Sequence, residues 1–199
     1  MEVGRRLVCA SANPDKVREI EQILDSCGVS IEPRPSSIPD VVEDAPTLEG
    51  NARLKARAIS DATGLSALAD DTGLEIDALG GAPGVRSARY AGEPSDSSCN
   101  IAKVLRELER VGAVAPEQRR ARFRTVILVR WTDGSETVVE GIVEGHIAMQ
   151  SMGENGFGYD PIFVPDEADG RSFAQMSSES KHAVSHRGRA LRALVEALT

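Results

Sequence analysis

The chain has 199 residues, is 41% apolar and carries a formal charge of −8 at neutral pH. That size and apolar content support one sizeable domain, or two lobes sharing a sheet, and the acidic balance argues against a protein that grips nucleic acid through a basic face. No run is apolar enough to span a bilayer, and Met1-Glu2-Val3-Gly4-Arg5-Arg6 leads into a short strand rather than a signal-peptide core, so a cytoplasmic protein with no membrane or nucleic-acid partner is expected.

Leu7-Val8-Cys9-Ala10 reads as a buried strand. Asn13-Pro14 then supplies a helix cap followed by proline at the first helical position, and Val17, Ile20, Ile23 and Leu24 continue at helical spacing to a stop near Gly28. Pro33 to Pro46 is proline-rich and acidic and reads as loop around an extended piece. A second helix is expected from Thr47, with Leu48, Ala52, Ala56 and Ile59 on one face and Gly64 at its end. Strands are expected at Ser66–Ala69 and Leu74–Leu79, with a loop at Gly80–Gly84 and a helix over Ser97–Val111. Phe123–Trp131 and Glu136–Val143 are β-rich runs joined by Thr132-Asp133-Gly134-Ser135, a strong hairpin signal. His146–Met149 is a further strand candidate. A glycine-dense loop runs from Gly153 to Pro161, Ile162–Val164 is a strand, and two helices close the chain, one capped near Ser177 and one carrying Ala190, Leu191, Leu194, Val195 and Leu198. Strand–helix alternation with a central hairpin predicts an α/β protein with a mixed sheet and two lobes with a cleft between them. Cys9, Cys27 and Cys99 lack metal-ligand spacing and read as free thiols.

Chemistry is concentrated in five segments. Asp70-Asp71-Thr72-Gly73 follows the apolar run Leu65–Ala69, and two adjacent carboxylates at the end of a buried strand need compensating charge. A hard divalent cation supplies it, with Gly73 letting the backbone turn close to a ligand; a helix cap or surface turn is the plainer alternative. Ser11-Ala12-Asn13-Pro14-Asp15-Lys16 lies where a strand feeds a helix, where free amides and the Lys16 charge suit an anion; an ordinary capped helix would look the same. The spacing is not that of a P-loop. Glu43 could reach a cation held by Asp71, and Lys55 on the following helix could meet a phosphate, although both residue types are most often solvated.

Phe157-Gly158-Tyr159-Asp160-Pro161 offers two rings and a carboxylate among glycines, suited to a flat heterocycle or equally to a tight turn with core aromatics. Lys181-His182-Ala183-Val184-Ser185-His186-Arg187 gathers cations and histidines. On one continuous helix Lys181 and Ser185 would share a face, as would His182 and His186. A zinc site there lacks a third ligand, so the donors fit a purine carbonyl or a phosphate better, unless the stretch is only a polar helix–helix connection.

Taken together with Gly80-Gly81-Ala82-Pro83-Gly84-Val85-Arg86-Ser87-Ala88-Arg89-Tyr90-Ala91-Gly92 and Ser185-His186-Arg187-Gly188-Arg189-Ala190-Leu191, these segments resemble the inosine triphosphate pyrophosphatase family, from Leu7 to Leu198. The resemblance implies an elongated two-lobed α/β fold with a long central mixed sheet flanked by helices. It implies one nucleoside triphosphate pyrophosphatase domain over 1–199, with the smaller lobe built around a hairpin at roughly 120–150. It implies hydrolysis of ITP, dITP and XTP to the monophosphate and pyrophosphate, clearing the nucleotide pool, with Mg²⁺ as cofactor in a cytoplasmic homodimer. On the family pattern Asp71 is the general base and a magnesium ligand, and Glu43 the second metal carboxylate. Ser11, Ala12, Asn13, Pro14, Asp15 and Lys16 form the triphosphate cradle with Lys55 and Thr72. Phe157, Gly158, Tyr159 and Asp160 form the base loop, and Lys181, His186 and Arg187 read the 6-oxo group.

The chain departs from that pattern at Ala12, where relatives often have glycine, at Thr72, where serine is frequent, and at Gly50, where an acid is common and Glu49 is the neighbouring carboxylate. A pyrophosphatase of the septum-formation-inhibitor type and a non-catalytic nucleotide-binding module are the competing readings. The long glycine-alanine-proline loop and the Ser185-His186-Arg187 motif speak against the first, and the intact candidate set speaks against the second.

Overall fold

A computed structural model describes residues 5–25 and 28–198. The chain divides into two compact units, one made of Met1–Asp71, Thr125–Gly141 and Arg187–Thr199, the other of Thr72–Arg124 and Ile142–His186. The fold is mixed α/β, as expected.

In the first unit β1 (Arg5–Cys9) pairs in parallel with β2 (Val29–Glu32) and with the start of β3 (Ala67–Ile76), and residues 125–130 of β5 (Arg120–Arg130) and 136–141 of β6 (Glu136–Ile147) belong to the same unit. The helices here are α1 (Pro14–Asp25), α2 (Leu48–Thr63) and α5 (His186–Leu198). Leu7, Cys9 and Leu68 of the sheet, Ile20 and Leu24 of α1, and Ala190, Leu191 and Leu194 of α5 make one buried cluster. Each full burial of a leucine or isoleucine is worth about 1.5–3 kcal/mol, which is what holds these layers together. Helix α2 begins at the Thr47 cap, whose hydroxyl accepts from the Gly50 amide at 3.0 Å, and ends at Gly64 in the left-handed conformation (φ 69°).

In the second unit β4 (Pro83–Gly84) lies antiparallel to the distal part of β3, and β7 (Phe163–Pro165) antiparallel to the end of β6. α3 (Ser97–Arg110) is capped by Asp96, and α4 (Ser178–Val184) by Ser177. The core joins Leu74 and Ile76 to Val104 and Leu108 of α3 and to Phe123, Phe163 and Phe173.

Several expectations need correction. β2 was not predicted, because four residues between Gly28 and Pro33 are too few to display a period. Residues 66–69 and 74–79 are not two strands: one strand runs through the acidic pair to Ile76 and a 3-10 turn follows at Asp77–Leu79. Gly73 therefore sits within the strand and makes no turn. The carboxylates did not need to leave the sheet because cations come to them, as described below. The 181–187 stretch is not one helix either. Ser185 adopts extended backbone (φ −69°, ψ 156°) between α4 and α5, so the pairing of Lys181 with Ser185 and of His182 with His186 on shared faces is lost.

Cys9 and Cys99 are free thiols, and Cys27 lies outside the described residues. Burial pushes the Cys9 thiol up to about 11, so it is inert at neutral pH.

Candidate functional site

Successive residues of a strand point to opposite faces, and this separates the acidic pair. Asp70 faces the same side as Leu68, toward α1 and α5. Asp71 faces α2. Both are buried, at 1% and 6% exposure.

Asp71 meets α2 through two residues one helical turn apart. Lys55 Nζ stands 3.2 Å from Oδ1, and the Asn51 amide donates to Oδ2 at 3.1 Å. The same Lys55 ammonium lies 3.2 Å from Glu43, so one cation bridges the two carboxylates named as metal ligands. Burial raises the proton affinity of Asp71; Lys55 and Lys16 oppose this, and Glu43 adds to it, leaving the pKa above the usual carboxylate value. For Lys55 burial works against the charge, but Asp71, Asp70 and Glu43 outweigh it, and its pKa rises.

Asp70 meets Lys16 Nζ at 3.0 Å and the Arg187 guanidinium at 3.5 Å. Arg187, 2% exposed, also pairs with Glu19 of α1. Burial would raise Asp70, yet Lys16, Arg187 and Lys55 more than reverse it and hold the carboxyl well below the usual range. Two neighbouring carboxyls are thereby pushed apart in acidity, the arrangement that lets one serve as a base while the other stays a fixed charge.

The 11–16 segment differs from expectation in its donors. Asn13 Oδ1 accepts from the Asp15 and Lys16 amides at 2.9 and 3.3 Å, Pro14 has no N–H, and the Asn13 amide is taken by Ser11 Oγ at 3.2 Å. The Asn13, Asp15 and Lys16 amides are thus occupied within the cap. What the segment presents is side chains: Ser11, Asn13 and above all Lys16, with Ala12, Pro14 and Asp15 as their scaffold.

In the second unit Asp160, 3% exposed, accepts from the Phe157 amide at 2.8 Å and from Lys181 Nζ at 2.9 Å. Lys181 lies 4.7 Å above the Phe157 ring and 5.9 Å from that of Phe173. Asp160 therefore closes its own loop rather than pointing an idle acceptor outward. Of the two rings expected to face a heterocycle, Tyr159 belongs to the core: it is 5% exposed and its hydroxyl donates to the Ser87 carbonyl at 2.8 Å. Phe157 is half-buried, with Gly158 beside it. His186 is buried and stacks on Phe123 at 4.5 Å. Lys181 and His186 thus fall in this unit, whereas Arg187, grouped with them from sequence, serves Asp70 in the first. Thr72 follows Asp71 on β3, half-buried.

Gly156 makes the tight turn over Asp160 possible. Its φ is +75°, and a Cβ there would lie 2.1 Å from Asp160 Oδ2. Gly156→Ala is expected to cost about 1–3 kcal/mol in urea unfolding. An unchanged midpoint and slope would mean that the turn is not held this way.

Among the described residues no group of three or more His, Cys, Asp or Glu side chains forms a ready-made metal cage. A hard cation that keeps several waters and uses one or two carboxylates plus phosphate oxygens does not need one. Glu43 and Asp71, already converging on the cationic Lys55 head, are a donor set of that kind, so the residues present fit such an ion.

Sequence reasoning passed over Asn51, Glu19 and the role of Asp70. Asn51 was findable, since it sits four residues before Lys55 and so on the same helix face. Glu19 and Asp70 carried no pattern that named their partner.

Known proteins resemble this chain over nearly its whole length. A dITP/XTP pyrophosphatase of Desulforamulus reducens is 46% identical over 196 residues, covering 97% of this chain and 95% of the relative. A HAM1 protein from Coxiella burnetii has a structure that superposes with a TM-score of 0.88 at 40% identity, over 98% of both chains. A nucleoside-triphosphatase, also titled dITP/XTP pyrophosphatase, from Mycobacterium abscessus gives 0.75 at 43% identity, over 95% of this chain and 98% of its own. Residues 7–197 match the Ham1 family, and with the full-length relatives this establishes that the chain is a member of the Ham1 family.

Proposed function

We propose that this chain hydrolyses non-standard purine nucleoside triphosphates, of which ITP, dITP and XTP are the expected substrates, to the nucleoside monophosphate and pyrophosphate. The observation that carries the reading is the split acidic pair, with Asp71 raised in proton affinity beside two lysines and Asp70 locked as an anion. Relatives named dITP/XTP pyrophosphatase at 46% identity support the substrate class.

Mg²⁺, held by Glu43 and Asp71, would offset phosphate charge and make a water more acidic. Asp71 takes the proton from the attacking water as the bond that releases pyrophosphate breaks. Lys16 and Lys55 are already held in place by carboxylates, so their charges meet the phosphoryl oxygens with little side-chain freedom left to lose. Ser11, Asn13 and Thr72 add neutral donors to the triphosphate. On the base side Phe157 stacks on the purine, and Lys181 donates to the 6-oxo group. An ammonium has donors only, so a 6-amino group leaves it unpaired, and a buried donor without a partner discriminates strongly. His186, packed on Phe123, backs that loop. Hydrolysis takes the deaminated base out of the triphosphate pool, leaving it in the monophosphate. We place the reaction in the cytoplasm and expect a homodimer.

A pyrophosphate-release assay with Mg²⁺ on ITP, XTP, GTP and ATP tests the reading. ITP and XTP should turn over far faster than ATP. Equal rates on all four would refute selective base reading, and no release from any would refute the function.

A further inference from the structure

We propose that Asn51 is a positioning residue for the reaction, holding the Asp71 carboxylate and the loop that carries Glu43 in one fixed relation. This rests on the reading of Asp71 as the base.

Asn51 is fully buried, at 0% exposure, in the first turns of α2. A polar side chain there must satisfy its amide, and Asn51 does so with two partners that share no sequence neighbourhood. Its Oδ1 accepts from the Ala45 backbone N–H at 3.0 Å, and its Nδ2 donates to Asp71 Oδ2 at 3.1 Å. The backbone N–H of Ala45 can only donate, which fixes the amide's orientation and leaves the NH₂ side, never the carbonyl, facing the carboxylate. Ala45 is two residues from Glu43. Gly50, next to Asn51, lets this loop lie close: a Cβ at Gly50 would stand 2.6 Å from that of Ala45. Lys55, one turn along α2, then bridges Glu43 and Asp71.

The consequence is geometric. Asp71 has two oxygens; Asn51 binds one and Lys55 the other. Without Asn51 the carboxyl can rotate about its terminal torsion, which is soft, and the 43–45 loop loses its tie to α2. A base must hold its lone pair on the attacking water, and a misplacement on the order of 1 Å can cost about a hundredfold.

Asn51→Ala removes both bonds, whereas Ala45→Pro keeps the Asn51 side chain and removes the N–H that orients its amide, while also stiffening the backbone at Asp44. For each variant, pyrophosphate release would give kcat and KM per folded molecule, and a thermal-shift titration would give the half-saturating Mg²⁺. In Asn51→Ala kcat should fall about 10–100-fold with KM within about threefold, and half-saturating Mg²⁺ should rise by about fivefold or more. A kcat within about threefold of wild type, or a fall in folded fraction alone, overturns the proposal. If Asn51→Ala does not fold, Ala45→Pro decides: a lower kcat at unchanged KM supports it and wild-type kcat overturns it. If wild type releases no pyrophosphate, the proposed function fails on its own, and the Mg²⁺ titration still judges Asn51: a shifted midpoint supports the positioning role and an unchanged one overturns it.

Discussion

Asp71→Asn should lower kcat by at least about a hundredfold, roughly 3 kcal/mol of barrier, with no matching loss of stability. Asparagine keeps the shape but offers one acceptor oxygen where the carboxylate has two, so it meets Lys55 or Asn51 and not both, and it cannot take a proton. The stability half of the expectation follows from the direction of titration. A carboxyl whose pKa is raised on folding contributes stability that is present below its unfolded pKa and lost as the pH rises through the folded one. Asp71 is such a group, so at neutral pH its ionised form is a cost that the fold carries. Removing the charge relieves that cost but leaves one donor of Lys55 or Asn51 without its acceptor, so the two effects oppose and the melting temperature should move by only a few degrees while kcat collapses. Steady-state kinetics with a parallel thermal melt reads both halves. Near wild-type kcat in a folded variant would take Asp71 out of the role of base.

The second large effect falls on the neighbouring residue and has the opposite character. Asp70→Asn should destabilise the protein by about 3–5 kcal/mol, because it takes the counter-charge from Lys16 and one of two from buried Arg187, which keeps Glu19. For a chain of this size that is a fall in melting temperature of roughly 6–20 °C. The pH dependence runs the other way from Asp71. A carboxyl lowered on folding stabilises fully above its unfolded pKa, about 3.9, and loses that contribution as the pH falls toward the folded value. The gap between wild type and variant should therefore be complete at neutral pH and shrink below about pH 4. Urea unfolding across that range measures it. A gap that is constant with pH, or absent at pH 7, would mean that Lys16 and Arg187 find other partners and that Asp70 is not the anchor.

These two aspartates also mark what could be read in advance and what could not. The sequence was enough for the α/β class, for the caps at Asn13 and Ser177, for the start of a helix at Thr47, for the turn at Asp133-Gly134, and for the residues that gather chemistry, because these depend on local periodicity and backbone preference. It placed Asp70 and Asp71 at the end of a strand, since an uncompensated charge should not remain in a sheet. The compensation comes from Lys16, Lys55 and Arg187, on other elements and fifteen or more residues away, and no local pattern announces it.

The same limit explains Ser185. Helical spacing ran on through residues 181–187, and only the packing of two helices in different units shows that the backbone breaks there and sends Arg187 and Lys181 to different partners. It explains Tyr159 as well, whose ring is core because a carbonyl at Ser87 receives its hydroxyl. By itself the chain determined which residue types occur and on which elements they ride. The tertiary structure alone decided which charge faces which, because a strand sends adjacent side chains to opposite faces and the cations that meet them arrive on separate helices.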